Sequence, residues 1–348
     1  MQGVSRISCW GGMSNVTECD LEVTGKTRFD SMKKGLFVLC FALLFASCGR
    51  QLTSLPTIEP QLVKSADVLA DSIYFSEITA MKYHGDRIYA CCMGQSQILC
   101  MDDEFGLLHT IGHEGRAANE LMDPSSFDIE GDTIAVLCYG SFKRYTVNGE
   151  FVGTFDIGQL LPNKDFAMCA GSYYYTSSNQ GPVISLSADG TSRSFGERYR
   201  FETEEAARYR NARFTRVYRD RIITVSDNLP YIEVFDRQTL ESVRKVDYSD
   251  VDLVSEIMKS NASEQLAANQ YRVLVSDCNI SDGKLYVLLA DNLEGFCANK
   301  IIEFDIEQGC RPVSILRLPG ERYFSFCVNG QNLYAFNLRE NTFEKMIL

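Results

Sequence analysis

The chain has 348 residues, with 34 Lys and Arg against 46 Asp and Glu, a formal net charge of −12. Acidity of that size argues against a nucleic-acid-binding protein and against a polybasic grip on anionic lipid. The length exceeds one ordinary domain but suits a single large all-β domain.

Residues 1–31 contain the only Trp, Trp10, and no periodic apolar pattern. They read as an upstream extension from a mis-assigned start codon, with Met32 as the true start, and are set aside from the fold. The alternative, a disordered leader, would bury a secretion signal behind it. The signal is KKGLFVLCFALLFASCGR, from Lys33 to Arg50. Its apolar run from Gly35 to Ala46 is short of the roughly 20 residues a membrane-spanning helix needs. Two lysines precede it and the small residues Ala46 and Ser47 follow, the layout of a secretory signal. Cys48 comes next, which resembles the bacterial lipobox and makes Cys48 the lipidation candidate; Phe45 stands where that motif usually has Leu. A buried helix with a chance cysteine leaves the lysines and the small residues unexplained. Residues 32–47 are therefore expected to be a lipoprotein signal peptide and 48–64 a tether. The leader and signal together hold five Lys and Arg against four Asp and Glu, so the acidity belongs to the mature chain.

Downstream of Cys48 come Cys91, Cys92, Cys100, Cys138, Cys169, Cys278, Cys297, Cys310 and Cys327, an odd number with no CxxC spacing. Most sit in apolar runs such as IYACCM and FSFCVNG, where Cys acts as a small buried hydrophobe. Mostly free thiols are expected, in keeping with an anaerobic or weakly oxidising source, with some disulfide pairing left open.

From Ser65 onward a unit recurs: strand, tight turn, strand, polar gap, strand, turn, strand. DRIYACCMGQSQILCMDDEFGLLHTIG starts at Asp86 and GDTIAVLCYGSFKRYTVNGEFVGTF at Gly131; Ile88 aligns with Ile134, Cys92 with Cys138 and Gly94 with Gly140. Anchoring each unit on its second strand picks out Ile88, Ile134, Tyr173, Ile222, Leu285 and Leu333. These lie between roughly 40 and 60 residues apart, against about 40–50 for four-stranded propeller blades. Ile302, Phe304 and Ile306 alternate with Glu303, Asp305 and Glu307, a strand period. The prediction is an all-β, six-bladed β-propeller over residues 65–348. A β-sandwich would give no reason for six similar units.

The last unit has room for strands near Phe324–Val328, Leu333–Asn337 and Thr342–Ile347, then the chain stops. QLVKSADVLA, Gln61 to Ala70, is expected to supply the missing fourth strand and close the ring. RYRFETEEAARYRNARF, Arg198 to Phe214, and SDVDLVSEIMKSNASEQLAANQY, Ser249 to Tyr271, break the strand pattern and read as helical insertions flanking the fourth blade. They either decorate the propeller or carry a binding surface.

The repeat pattern resembles the six-bladed propeller lipoproteins of the Bacteroidetes type, related to TolB-like and NHL-like propellers. TIGHEGRAANELMDPSSFDI, from Thr110, carries part of that likeness: Gly112, Gly115, Glu120 and Pro124 match the Gly-rich turn and the Pro that opens the next blade, while Ala117 and Ala118 replace the expected Gly-Pro. The resemblance implies a lipid-anchored cell-envelope protein. GRQLTS after Cys48 lacks the acidic run that often marks surface-exported lipoproteins of that phylum, which favours the periplasmic face of the outer membrane.

Candidate chemistry is sparse. His109 and His113 form H-x3-H, but across a strand end and a turn rather than a helix, so a solvated loop is the better reading than a zinc site. HExxH, P-loop, GxSxG and Rossmann fingerprints are all absent. Asp128, Asp227, Asn228 and Asp277 could reach a channel metal, as in lactonase-like propellers, yet turns favour Asp and Asn for their own reasons. Tyr173–Tyr175 and Tyr323, Phe324 and Phe326 could stack on sugars or fill the core, and core is the better reading. Arg208, Arg210, Arg213 and Arg216 form a possible binding face for an anionic partner, or pair with Glu202, Glu204 and Glu205. The leading expectation is a non-enzymatic binding module for a protein or glycan of the envelope, without cofactor, metal or nucleic acid. The alternative is a metal-dependent hydrolase or lyase working at the central channel.

Overall fold

The computed structural model describes residues 52–69, 74–158, 161, 165–177, 182–263, 271–293 and 295–348. The expected leader, the expected signal peptide and Cys48 lie outside them. An N-terminal strap supplies β1 (Thr57–Ile58) and β2 (Gln61–Ala66). Blade 1 follows as β3 (Ile78–His84), β4 (Arg87–Cys92), β5 (Gln97–Met101) and β6 (Leu107–Ile111). Blade 2 is β7 (Ser126–Glu130), β8 (Thr133–Cys138), β9 (Ser141–Thr146) and β10 (Phe151–Asp156). Blade 3 is β11 (Phe166–Cys169), β12 (Ser172–Thr176), β13 (Val183–Ser187) and β14 (Ser192–Phe195), and helix α1 (Glu204–Arg210) leads out of it. Blade 4 is β15 (Arg213–Tyr218), β16 (Arg221–Ser226), β17 (Tyr231–Asp236) and β18 (Ser242–Asp247), followed by helix α2 (Asp252–Ser263). Blade 5 is β19 (Val275–Ser281), β20 (Lys284–Asp291), β21 (Cys297–Asp305) and β22 (Arg311–Arg317); blade 6 is β23 (Tyr323–Asn329), β24 (Asn332–Asn337) and β25 (Thr342–Ile347) with β2 on its outer edge. The chain is a six-bladed β-propeller of four-stranded antiparallel blades.

A strand sends successive side chains to opposite faces, so a sheet packed on both sides needs apolar residues on both. The second strands meet that demand: RIYACC is buried from Ile88 onward and TIAVLC from Ile134 onward. The apolar side chains segregate into six buried clusters, each shared by two neighbouring blades. Phe142, Phe166 and Tyr173, for example, join blades 2 and 3, with Phe142 and Tyr173 stacked at 4.3 Å. Each fully buried Leu, Ile, Val or Phe contributes about 1.5–3 kcal/mol, so cohesion lies between blades rather than within them.

Tight two-residue turns join first and second strands. Gly85-Asp86, Ala170-Gly171 and Asp282-Gly283 hold positive φ at both positions, the primed hairpin geometry that matches strand twist.

Closure is made by the strap: β2 pairs antiparallel with β25, from Gln61 opposite Ile347 to Ala66 opposite Phe343. Before reaching it, β1 lies parallel on β22, giving blade 5 a fifth strand. The strap is held earlier still, by a bridge between Thr53 and Val251. The segment expected to be a tether up to residue 64 is thus held from residue 53 and built into two sheets from residue 57, because its edges pair with strands that would otherwise lie open. The first insertion is also narrower than expected, since Arg213 and Phe214 belong to β15; among the described residues it contains α1, and the second contains α2. Thr203 caps α1, its hydroxyl accepting from the Ala206 amide at 3.0 Å.

Candidate functional site

With four strands per blade, the turns after the first and third strands fall on one end of the ring. The turns after the second strands and the connections between blades fall on the other. Both helical insertions lie on this second face. So do the large apolar side chains that are exposed in loops, Val68, Tyr74, Tyr139, Leu293, Phe296 and Leu338, together with Tyr209 on α1. Tyr74 is 70% and Tyr139 63% exposed. Among the described residues, no large apolar side chain is exposed in the turns of the opposite face.

The same face carries the Gly112–Pro124 loop, which folds around one carboxylate. The Ala117 amide donates to Glu120 Oε2 at 2.7 Å, and His113 Nε2 lies 3.4 Å from Oε1. Lys143 and Tyr145 donate to the loop carbonyls of Ala117 and Asn119, both at 2.9 Å. The Ala117 amide, and His113 after it, hold the Glu120 carboxyl below its ordinary range. Gly112, at φ +75°, sits where a Cβ would strike Leu121. Elsewhere on this face a cavity of about 660 Å³ opens between the strap and blades 5 and 6, walled by Glu59, Asp291, Phe296, Lys300, Arg317 and Glu321. At its base, Lys300 pairs with the buried Asp291 at 2.6 Å. The hollow between blades 4 and 5 on the opposite face is taken up by Arg219 and Tyr218, which meet Glu307 at 2.6 and 2.8 Å.

The channel is bordered by β3, β7, β11, β15, β19 and β23, and polar side chains stitch each of these strands to the next. Lys82 on β3 pairs with Asp128 on β7 at 3.0 Å, and Asp128 accepts the Met168 amide of β11 at 2.7 Å. Asp165, just before β11, accepts the Thr215 amide of β15 at 2.8 Å. Arg216 on β15 donates to the Cys278 carbonyl of β19 at 2.6 Å, and Asp277 accepts the Phe326 amide of β23 at 3.2 Å. Ser325 returns to β3 by donating to the Ile78 carbonyl at 3.0 Å.

The four arginines do not share a surface. Arg208 is exposed on α1; Arg210 is half-buried, paired with Glu202 at 3.3 Å and stacked on Phe201 at 4.3 Å. Arg213 is 1% exposed and bound to Glu233, and Arg216 belongs to the channel belt. The possibility of pairing with acids thus accounts for Arg210, but with interior partners for Arg213 and Arg216. Asp128 and Asp277 are occupied in the belt, and Asn228 donates to Asp227. His109 contacts the Val147 carbonyl at 2.9 Å while His113 turns to Glu120. Among the described residues, no group of three or more His, Cys, Asp or Glu is placed to hold a metal ion. Tyr173, Tyr174, Tyr175, Tyr323 and Phe326 are core. Sequence reasoning missed Tyr74, Tyr139, Tyr209 and Phe296, whose common feature is a place in the loops and the α1 insertion of one face.

No family model matches the chain, and no curated protein matches its sequence. Solved structures do match its fold. A Bacteroides fragilis protein described as exported superposes with a TM-score of 0.53 at 11% identity, over 85% of this chain and 99% of its own. U3-55K gives 0.53 at 11% identity, over 83% and 100%. The β-propeller domain of Cps50 (Swd1) from Myceliophthora thermophila gives 0.50 at 10% identity, over 83% and 99%. At such identities the likeness is one of fold, and one fold hosts many functions.

Proposed function

We propose that the chain is a lipid-anchored propeller of the cell envelope, of the TolB-like and NHL-like lipoprotein type, that binds a protein or glycan partner without transforming it. The observation that carries this reading is the confinement of exposed loop aromatics to the face that also bears both insertions. Tyr and Trp are enriched among the residues that carry binding energy at interfaces, so a face that gathers the exposed loop aromatics fits a binding surface. Arg208 adjoins Tyr209 on that face and adds a positive charge in an acidic protein. The channel carboxylates are committed to strand-to-strand bonds, which leaves the hydrolase or lyase alternative without support from a free cluster. Cys48 is the proposed acylation site, and the periplasmic face of the outer membrane the proposed location, in keeping with the exported Bacteroides neighbour.

The test is in-cell cross-linking with the native chain and with a variant carrying Tyr139→Ser, Tyr209→Ser and Phe296→Ser. A partner or glycan retained by the first and lost by the second supports the reading. Equal capture by both overturns it.

A further inference from the structure

Resting on the anchored reading, we infer that acylation of Cys48 would hold one corner of the propeller, where the strap meets α2, flat against a lipid bilayer instead of suspending the domain on a tether. Only Gly49, Arg50 and Gln51 separate Cys48 from Leu52. An extended chain advances at most about 3.6 Å per residue, so the acylated residue lies within roughly 15 Å of Leu52.

There is no slack beyond that point. The Thr53 amide donates to the Asp250 carbonyl at 2.7 Å, the Asp252 amide donates to the Thr53 carbonyl at 3.1 Å, and the Thr53 hydroxyl donates to Asp250 Oδ2 at 3.2 Å. Leu55 packs on the cluster that contains Val251, Val254 and Ile257, and the Ile315 amide then donates to the Pro56 carbonyl at 2.9 Å. The strap is fixed to the insertion after blade 4 and to the rim of blade 5 before it could act as a spacer.

The chemistry of this corner fits apposition at headgroup level rather than insertion. α2 buries Val254 and Ile257 inward and exposes Glu256, Lys259 and Ala262, a mixed and polar outer side. The net charge of −12 gives no attraction to anionic lipid, so the covalent anchor alone sets the contact. Blade 2 lies across the ring from blade 5, and its Gly131-Asp132 turn is on the opposite face, which makes it the part held away from the bilayer.

The experiment uses the acylated full chain, purified from bacterial membranes and reconstituted in vesicles of phosphatidylethanolamine and phosphatidylglycerol, with a photo-crosslinking amino acid replacing Glu256 or Asp132. Phospholipid adducts are expected at position 256 and not at 132. Inserting about 20 Gly and Ser residues between Gln51 and Leu52, a reach of roughly 25 Å, should abolish the adducts at 256 while vesicle binding persists. Equal adducts at both positions, or adducts at 256 indifferent to the spacer, overturn the apposed geometry and leave the anchor intact. An N-terminal peptide without acyl mass overturns the anchor and the inference together.

Discussion

Arg216 and Asp165 stand 51 positions apart in the chain and meet beside the channel, one guanidinium nitrogen lying 2.9 Å from both carboxylate oxygens. The same nitrogen donates to the Thr215 carbonyl at 2.7 Å, and Nη2 lies 3.5 Å from Asp277. One side chain thereby ties blades 3, 4 and 5 together.

Removing one member of a buried ion pair strands the other in a poor solvent, at a cost of about 3–5 kcal/mol. Arg216→Ala should lose that much stability in urea unfolding. Arg216→Lys should recover only part of it, because an ammonium cannot serve Asp165, Thr215 and Cys278 from one planar fork. A loss under 1 kcal/mol for Arg216→Ala would show the belt to be incidental.

Asp277 gives the molecule a pH dependence. Burial, which outweighs the opposing pull of Arg216, lifts its carboxyl from 3.8 to about 7. Between those values the folded chain holds a proton that the unfolded chain lacks, so this group's contribution is full below the lower value and fades as pH rises through the upper one. Urea midpoints should therefore fall between pH 5 and pH 8. Asp277→Asn, which keeps an acceptor for the Phe326 amide, should flatten that slope; an unchanged slope would assign the dependence elsewhere.

The nine cysteines of the described chain are free, and all but Cys169 and Cys297 are buried. Burial holds Cys91, Cys278 and Cys327 well above the ordinary thiol range, so their thiolates are scarce at neutral pH. Of these nine, a thiol-reactive dye should modify at most Cys169 and Cys297 in the native protein, and all of them in denaturant. Rapid labelling of any of the other seven without denaturant would contradict the packing.

A chain shortened to begin at Asp67 loses β1 and β2 and leaves β25 as an open edge. Such edges recruit other strands. The shortened protein should elute as oligomers or aggregate on size-exclusion chromatography, where the longer chain stays monodisperse.

The architecture was legible because its signals are local. Ile88, Ile134, Tyr173, Ile222, Leu285 and Leu333 all fall in second strands, since alternation and a turn pair can be seen within a dozen residues. The closing strand was legible for another reason: three strands after Tyr323 left one partner missing. The fate of the arginines was hidden. Arg213 and Arg216 look like neighbours of exposed Arg208, but β15 carries them inward to Glu233 and Asp165, acids far off in sequence. The proposed binding face was equally hidden, because Tyr74, Tyr139 and Phe296 come to one end of the ring only after it has closed.

The strap that completes blade 6 also sets an order of events. Phe75 packs on Phe343 at 4.4 Å, and Asn341 donates to the Phe75 carbonyl across 266 residues. The strap, made before any blade, must wait for β25 before its closing contacts exist, and contacts of such separation form slowly. Until then each newborn molecule offers a bare β25 to its neighbours, so the interval between release of the C-terminus and capture of β2 is its time of greatest need for a chaperone.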